Sequence, residues 1–158
     1  MKKLTFVLLF LGVGFFFACQ KTTTAVDVEA EKALIQSVLD NYVASIEKED
    51  LELYAKCVAN DADMVNFGAM GDPIIGWEAL RQVIEGQNAA LSETKINVSA
   101  MRIHVSENGK FGWATCLWDL NAKMGENPVS LPVRCTWLLE KREGGWVIIH
   151  FHKSVAMK

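Results

Sequence analysis

The sequence lacks the patterns that mark a nucleic-acid-binding protein, a repeat protein or several classes of enzyme. Its formal net charge is −3 over 158 residues and its lysines and arginines form no basic stripe, so nucleic acid is disfavoured as a partner. No internal repeat, nucleophile elbow or phosphate-binding glycine loop occurs, and the glycines between residues 68 and 76 lack the spacing of the last motif. We therefore expect neither a nucleotide nor another cofactor.

A long membrane-spanning run is also missing, although the chain starts with a short apolar segment. Lys2 and Lys3 precede apolar residues 4–18, which are fewer than the roughly 20 that a spanning helix needs. A basic start, an apolar stretch and a small residue predict a secretory signal over residues 1–18 rather than a retained anchor. Residues 16–19 resemble a bacterial lipobox, with Phe16 in place of the usual leucine. We predict lipidation of Cys19, a tether over residues 19–27 and anchoring in the cell envelope, in the periplasm or at the outer membrane. Ordinary cleavage with Cys19 incidental is the alternative.

The cysteines are too few, and odd in number once Cys19 is assigned, for a disulfide framework. Cys116 and Cys135 lie nearly symmetrically about a turn at Gly125, so they could face each other across a hairpin. Export permits a disulfide between them. We favour buried thiols, because the register is only inferred.

Hydrophobic spacing predicts helices first and strands afterwards. Apolar residues recur at helical spacing over residues 28–48, Asp50 can cap a second helix, and residues 77–84 form a third. Alternating segments then follow at residues 96–105, 111–123, 129–141 and 146–153, with Asn108-Gly109 as a hairpin turn. This order predicts an α+β domain with three helices packed on one face of a curved antiparallel sheet.

The same order, together with local motifs, resembles the SnoaL-like branch of the nuclear transport factor 2-like superfamily. Three segments carry the likeness: Asp61-Ala62-Asp63 before a short strand, residues 76–81 at the start of a helix, and the closing strand at residues 145–154. The closing strand is also similar to the association domain of calcium/calmodulin-dependent kinase. The resemblance covers residues 28–158 and implies a cone-shaped fold that encloses a pocket. It does not specify an activity, because this fold serves enzymes, binders and assembly domains.

Ketosteroid isomerases of that superfamily use an aspartate base with an oxyanion hole of a tyrosine and a protonated aspartate. The resemblance places Tyr42 at the tyrosine, Asn66 at the base and Arg134 at the second aspartate. Asn66 has no carboxylate to abstract a proton, and Arg134 stays charged. We therefore expect no steroid isomerisation by that route.

These substitutions suggest an anion site instead, built from Arg134 with Tyr42, Asn66 and His152. Alternation puts Arg134 on one face of its strand with Thr136 and Leu138. Its guanidinium offers a planar fork for a carboxylate if that face lines the pocket. The alternatives are that Arg134 pairs with Asp61, Asp63 or Asp119, or that it lies on the outer face. Asp61 and Asp63 themselves are better explained as capping or turn residues than as a catalytic pair.

The face of the last strand that lines the pocket is left open. A change of one residue in the turn at residues 143–145 would exchange His150 and His152 for Phe151 and Lys153. Three imidazoles, from these two histidines and His104, could hold zinc, but no further metal-ligand spacing supports a metal site.

Three functions follow from these observations. The first is a membrane-tethered binding domain for a small ligand, one that carries a carboxylate. The second is a SnoaL-like isomerase, cyclase or dehydratase with a pocket histidine as acid or base. The third is a structural homodimer, since an apolar outer sheet face needs a cover.

Overall fold

The computed structural model describes residues 25–156. The predicted signal, Cys19 and most of the tether lie outside the described residues, so those assignments stay predictions. No helix in the described part of the chain has the length and hydrophobicity that crossing a membrane requires.

Three helices form where the spacing predicts them. The first, α1, spans Val28–Glu47 and begins at Asp27, whose carboxylate accepts a hydrogen bond from the Ala30 N–H at 3.1 Å. The second, α2, spans Leu51–Cys57, and the predicted cap is confirmed because Asp50 accepts from the Leu53 N–H at 2.9 Å. The third, α3, spans Gly76–Ala90 and extends beyond the predicted end at residue 84.

Two short strands precede the main sheet. They are β1, Val65–Asn66, and β2, Ile74–Ile75, and they pair with each other between α2 and α3. The main sheet then contains four long strands: β3, Ser92–Val105; β4, Phe111–Met124; β5, Asn127–Arg142; and β6, Gly145–Val155. Each pairs antiparallel with the next in the order β3-β4-β5-β6. The predicted α+β architecture, with helices on a curved antiparallel sheet, is confirmed.

The sheet has an inner face toward the helices and an outer face away from them. Alternate residues of β5 are buried on the inner face, and with the buried stripe of α1 they form the centre of the core. Its largest fully buried side chains include Trp137, Tyr42 and Tyr54. All buried core residues lie between Ile35 and Phe151, so the described region builds its own core.

A β-bulge in β6 decides which side chains face inward. Leu138 of β5 pairs with His150, whereas the next residue, Leu139, pairs with Ile148, so Ile149 is an extra residue on β6. Before the bulge, Trp146 and Ile148 are buried. After it the alternation is reversed, because each extra residue turns every later side chain to the other face.

Candidate ligand cavity

A cavity of about 330 Å³ lies between α3 and the inner face of the sheet. Its walls come from α3, the end of α1, the loop at residues 68–70 and the strands β4, β5 and β6, and they are mainly apolar. Among the lining side chains are Leu80, Val83, Ile84, Leu120, Leu131 and Val133. Gln87, Trp118 and Lys153 are the lining side chains with nitrogen-bearing polar groups, and the lining contains no aspartate or glutamate.

Lys153 is the charged side chain of this cavity. Its Nζ lies 4.7 Å from the ring centre of Trp118, 4.9 Å from that of Phe151 and 5.1 Å from that of Tyr42. Within residues 25–156 it takes part in no ion pair, so aromatic rings are the surroundings that the fold supplies to it. Burial lowers the pKa of Lys153 from 10.5 to about 8, against the attraction of the neighbouring thiols of Cys135 and Cys116. The amine is therefore mainly protonated at pH 7.

The two cysteines lie directly opposite each other on β4 and β5. The predicted juxtaposition of Cys116 and Cys135 is confirmed by the strand register, and the favoured buried thiols are confirmed as well, because both are free and buried. Interaction with Cys135 lowers the pKa of the Cys116 thiol, while the same contact and burial raise the pKa of Cys135. The two thiols thus lie beside the lysine and oppose the effect of burial on its pKa.

Tyr42 contributes its ring to the lysine's surroundings and directs its hydroxyl elsewhere. The side chain is fully buried, and its hydroxyl lies 3.2 Å from the hydroxyl of Tyr54. Burial raises the pKa of Tyr42 well above its usual range, so the phenol stays neutral. Tyr42 does not line the cavity, so its predicted hydrogen bond to a ligand has no geometric support.

Asn66 is buried at the junction between β1 and β6. Its Oδ1 accepts a hydrogen bond from the Phe151 N–H at 2.9 Å. The Phe67 N–H donates to the Phe151 carbonyl, and the Lys153 N–H donates to the Phe67 carbonyl, each at 2.9 Å. The Asn66 side chain and the Phe67 backbone together hold the backbone of β6 around the inward-facing Phe151 and Lys153, and Asn66 does not line the cavity.

Arg134 and His152 lie on the outer face, and the structure does not bring the four predicted residues together around this cavity. Arg134 is exposed and donates through Nη2 to the Val155 carbonyl at 3.2 Å, and His152 lies against the ring of Phe67. His152 faces outward because of the bulge at Ile149 in β6. Arg134 faces outward because it alternates along β5 with a more apolar set of residues, which faces inward. Of the alternatives, the outer-face position of Arg134 is the one that the structure shows.

The other predicted polar partners are engaged elsewhere. Asp61 forms a two-pronged ion pair with Arg142, with nitrogen–oxygen distances of 2.6 and 2.9 Å, and this contact lowers the pKa of the Asp61 carboxyl. His104 stacks on Trp113, whereas His150 hydrogen-bonds the Val65 carbonyl through Nδ1. Within residues 25–156 no group of three side chains is placed to hold a metal ion.

Sequence reasoning missed Lys153 as the cavity cation, although it named the residue as one of two outcomes for the last strand. A signal was present in the hydrophobic pattern of β6. Trp146 and Ile148 occupy even positions, whereas the next buried apolar residue, Phe151, occupies an odd one. A change of parity within one strand indicates a bulge.

Solved structures with the same fold come from several bacteria. A nuclear transport factor 2-like superfamily protein from Salmonella enterica serovar Typhimurium is 21% identical, with a TM-score of 0.75, over 82% of this chain and 94% of that one. A provisionally named dehydratase of the same superfamily from Streptomyces avermitilis is 13% identical, with a TM-score of 0.75, over 82% and 99%. A ketosteroid isomerase-like protein from Erwinia carotovora atroseptica is 14% identical, with a TM-score of 0.68, over 81% and 98%.

These identities show a shared fold and leave activity open. The comparison with curated proteins found no match. The model of the SnoaL-like domain, however, matches residues 35–158, which is most of the chain and includes every element that lines the cavity. The chain therefore belongs to the SnoaL-like domain family.

Proposed function

We propose that this domain binds a small apolar molecule that carries a carboxylate, and that the carboxylate pairs with Lys153. The observation that supports this is a lysine in an apolar cavity for which the described residues provide aromatic rings and no carboxylate. A charge removed from water is stabilised when an opposite charge joins it. The proposal keeps the ligand class inferred from the sequence and replaces Arg134 by Lys153 as its counter-ion.

The cavity limits the size of the ligand. Its volume of about 330 Å³ lies at the lower end of ligand pockets, which span roughly 300–1,000 Å³. At about 30 Å³ for each water-sized unit, it holds on the order of ten non-hydrogen atoms. An aryl-alkanoic acid such as 3-phenylpropanoate fits this limit and leaves its ring against the leucines and valines of the wall.

The alternative function, an enzyme, depended on a histidine in the pocket to act as acid or base. None of the three histidines, all within the described residues, lines the cavity. A histidine acid or base would need to lie within hydrogen-bond reach of the bound substrate. The dehydratase name of a structural relative does not restore this alternative, because the identity is 13%.

Thermal unfolding with 3-phenylpropanoate, and with its neutral amide, tests the proposal. A ligand at a hundred times its dissociation constant stabilises the folded state by about 2.7 kcal/mol, so we expect a clear rise in melting temperature with the acid and a much smaller one with the amide. Lys153→Met should abolish the difference between acid and amide. Lys153→Arg should retain part of it, since the charge remains.

Arg134→Met is the matched control, because it removes a cation from the outer face of the same sheet. It should leave the response to the acid unchanged. Affinity for the acid should also fall as the pH rises through the lysine's pKa of about 8, since the counter-ion is then lost. Equal responses in the parent and in Lys153→Met, or no response to a series of such acids, would refute the proposal.

We also propose that a second copy of the chain covers the outer face. Phe111, Trp113, Leu117 and Leu138 expose 45%, 44%, 48% and 44% of their surface there. Asp119 and Arg134 lie on the same face, so the surface carries charges of both signs, as a self-complementary contact between two copies requires. An apolar area of this kind on a monomer favours association.

The molar mass in light scattering, followed against concentration, tests the homodimer. We expect twice the chain mass in the parent and a monomer in the double variant Leu117→Ser and Leu138→Ser. Both side chains are about half exposed, so the variant should unfold cooperatively with little loss of stability. A parent that is monomeric at all concentrations would contradict this proposal.

A further inference from the structure

The amine of Lys153 has a second chemical capacity besides its charge. Within the described residues its Nζ makes no hydrogen bond and no ion pair, and it lies within 4.7–5.1 Å of the centres of three aromatic rings. The cavity opens beside it, so a bound molecule can reach it. A lysine that is desolvated in an apolar pocket, with no carboxylate to keep its proton, is the kind that reacts as a nucleophile.

We propose that Lys153 captures apolar aldehydes or ketones in this cavity, its Nζ forming an imine with their carbonyl carbon. The inference rests on the proposed function in using the same cavity and the same amine. It adds a covalent reaction and a substrate class, since the reacting group is a carbonyl rather than a carboxylate.

The reaction balances without any further reagent. The lone pair of the neutral Nζ attacks the carbonyl carbon, the carbon–oxygen π electrons move to the oxygen, and one proton passes from the nitrogen to that oxygen. The nitrogen lone pair then forms the carbon–nitrogen double bond as the hydroxyl departs, and the second proton of the nitrogen leaves with the hydroxyl as water. Amine plus carbonyl thus gives imine plus water, with no change of oxidation state.

The groups around the amine allow its neutral form near neutral pH. From α1 it faces Tyr42, which stays a neutral phenol, and from β4 and β5 it faces the thiols of Cys116 and Cys135, which oppose the lowering of its pKa. From α3 and the loop at residues 68–70 the cavity lining contains no titratable side chain, Gln87 being polar but uncharged. Burial is the main cause of the lysine's pKa of about 8, which leaves about a tenth of the amine neutral at pH 7.

Reductive trapping provides the test. The protein is incubated at pH 7.4 with limiting 3-phenylpropanal and sodium cyanoborohydride, and the product is analysed by intact mass and peptide mapping. We expect one adduct, heavier by the mass of the aldehyde minus one oxygen atom, located on Lys153. Its rate should exceed that of the exposed Lys56 and Lys110 at least about tenfold, because the apolar cavity holds the aldehyde beside the amine of Lys153.

Two further measurements separate a reactive amine from an accessible one. The trapping rate at Lys153 should rise with pH to a plateau above the lysine's pKa of about 8. Lys153→Arg is the matched control, since it keeps a cation in the cavity and removes the nucleophile. It should lose the adduct and still respond to 3-phenylpropanoate.

The outcomes distinguish this inference from the proposed function. Adducts spread evenly over the exposed lysines, with the acid still stabilising the parent through Lys153, would overturn the imine and leave the carboxylate site standing. An adduct on Lys153 without any stabilisation by the acid would support the imine and refute the carboxylate site. Neither reaction nor stabilisation would overturn both.

Discussion

The two faces of the main sheet each carry a cation, and the surroundings of these two cations are opposite. Arg134 on the outer face is exposed and bonds a backbone carbonyl, whereas Lys153 on the inner face contacts aromatic rings in an apolar cavity. A guanidinium is the better fork for a carboxylate, but an ion pair in water contributes only about 0–1 kcal/mol. The same pair in a cavity of lower dielectric interacts more strongly. The surroundings therefore favour Lys153 over Arg134 as the counter-ion of the proposed ligand.

The largest expected effect on stability is a gain, from Lys153→Met. A pKa lowered from 10.5 to about 8 means that the unfolded chain binds more protons than the folded one between these values, so the parent becomes more stable as the pH rises through this window. Below pH 8 the penalty is complete, on the order of 3 kcal/mol. The variant should therefore be more stable than the parent by about this amount at pH 7, and this gain should shrink toward pH 10.5.

Urea unfolding at pH 7 and pH 10 measures this difference, with Arg134→Met as the outer-face control. The control should change the free energy of unfolding by less than about 0.5 kcal/mol at either pH, because Arg134 is exposed. If Lys153→Met were less stable than the parent at pH 7, the charged amine would stabilise the folded state instead of destabilising it. The expected difference between the cations of the two faces would then be refuted.

A smaller effect is expected at Asn66, which joins β1 to the inner-facing part of β6. Asn66→Ala removes the acceptor of the Phe151 N–H, and at the same time it removes a buried Nδ2 that has no partner among the described residues. A lost acceptor costs about 1–3 kcal/mol, and removal of the unpaired donor offsets part of this, so we expect a net loss on the order of 1 kcal/mol.

Hydrogen exchange at the Phe151 amide reports the same change locally. The exchange rate should increase in Asn66→Ala and stay unchanged in Asn97→Ala, in which an exposed asparagine is removed instead. Unchanged protection of Phe151 would show that β6 keeps its position without Asn66. The placement of Lys153 would then depend on the bulge and on the backbone hydrogen bonds of Phe67.

Most of the fold is predictable because its signals are local. The apolar stripe of α1, the cap at Asp50 and the Asn108-Gly109 turn each depend on a few neighbouring residues, and the structure confirms them. The resemblance to SnoaL-like domains supplied the cone shape and the pocket, which local patterns do not specify.

The site was less predictable because it depends on which face each strand presents. Alternation correctly placed Arg134, Thr136 and Leu138 together on one face of β5. The resemblance of Arg134 to a site position of the isomerases favoured this face for the cavity, whereas in the structure it is the outer face. The residues of β5 that share a face with Trp137 are the more apolar ones. Because burial of apolar area stabilises the fold, this face would have been expected on the inside. For β6, counting residues from the turn does not predict which side chains face inward, because a bulge within the strand reverses the alternation.

The extra residue at Ile149 decides which side chains at the end of β6 face the cavity. If β6 were regular at this point, Ile149 would take part in the alternation, so Lys153 would turn outward and His152 would turn toward the helices. The cavity would then present an imidazole in place of an amine without any substitution. The presence of the bulge, and not the residue types alone, therefore sets the chemistry that the cavity offers.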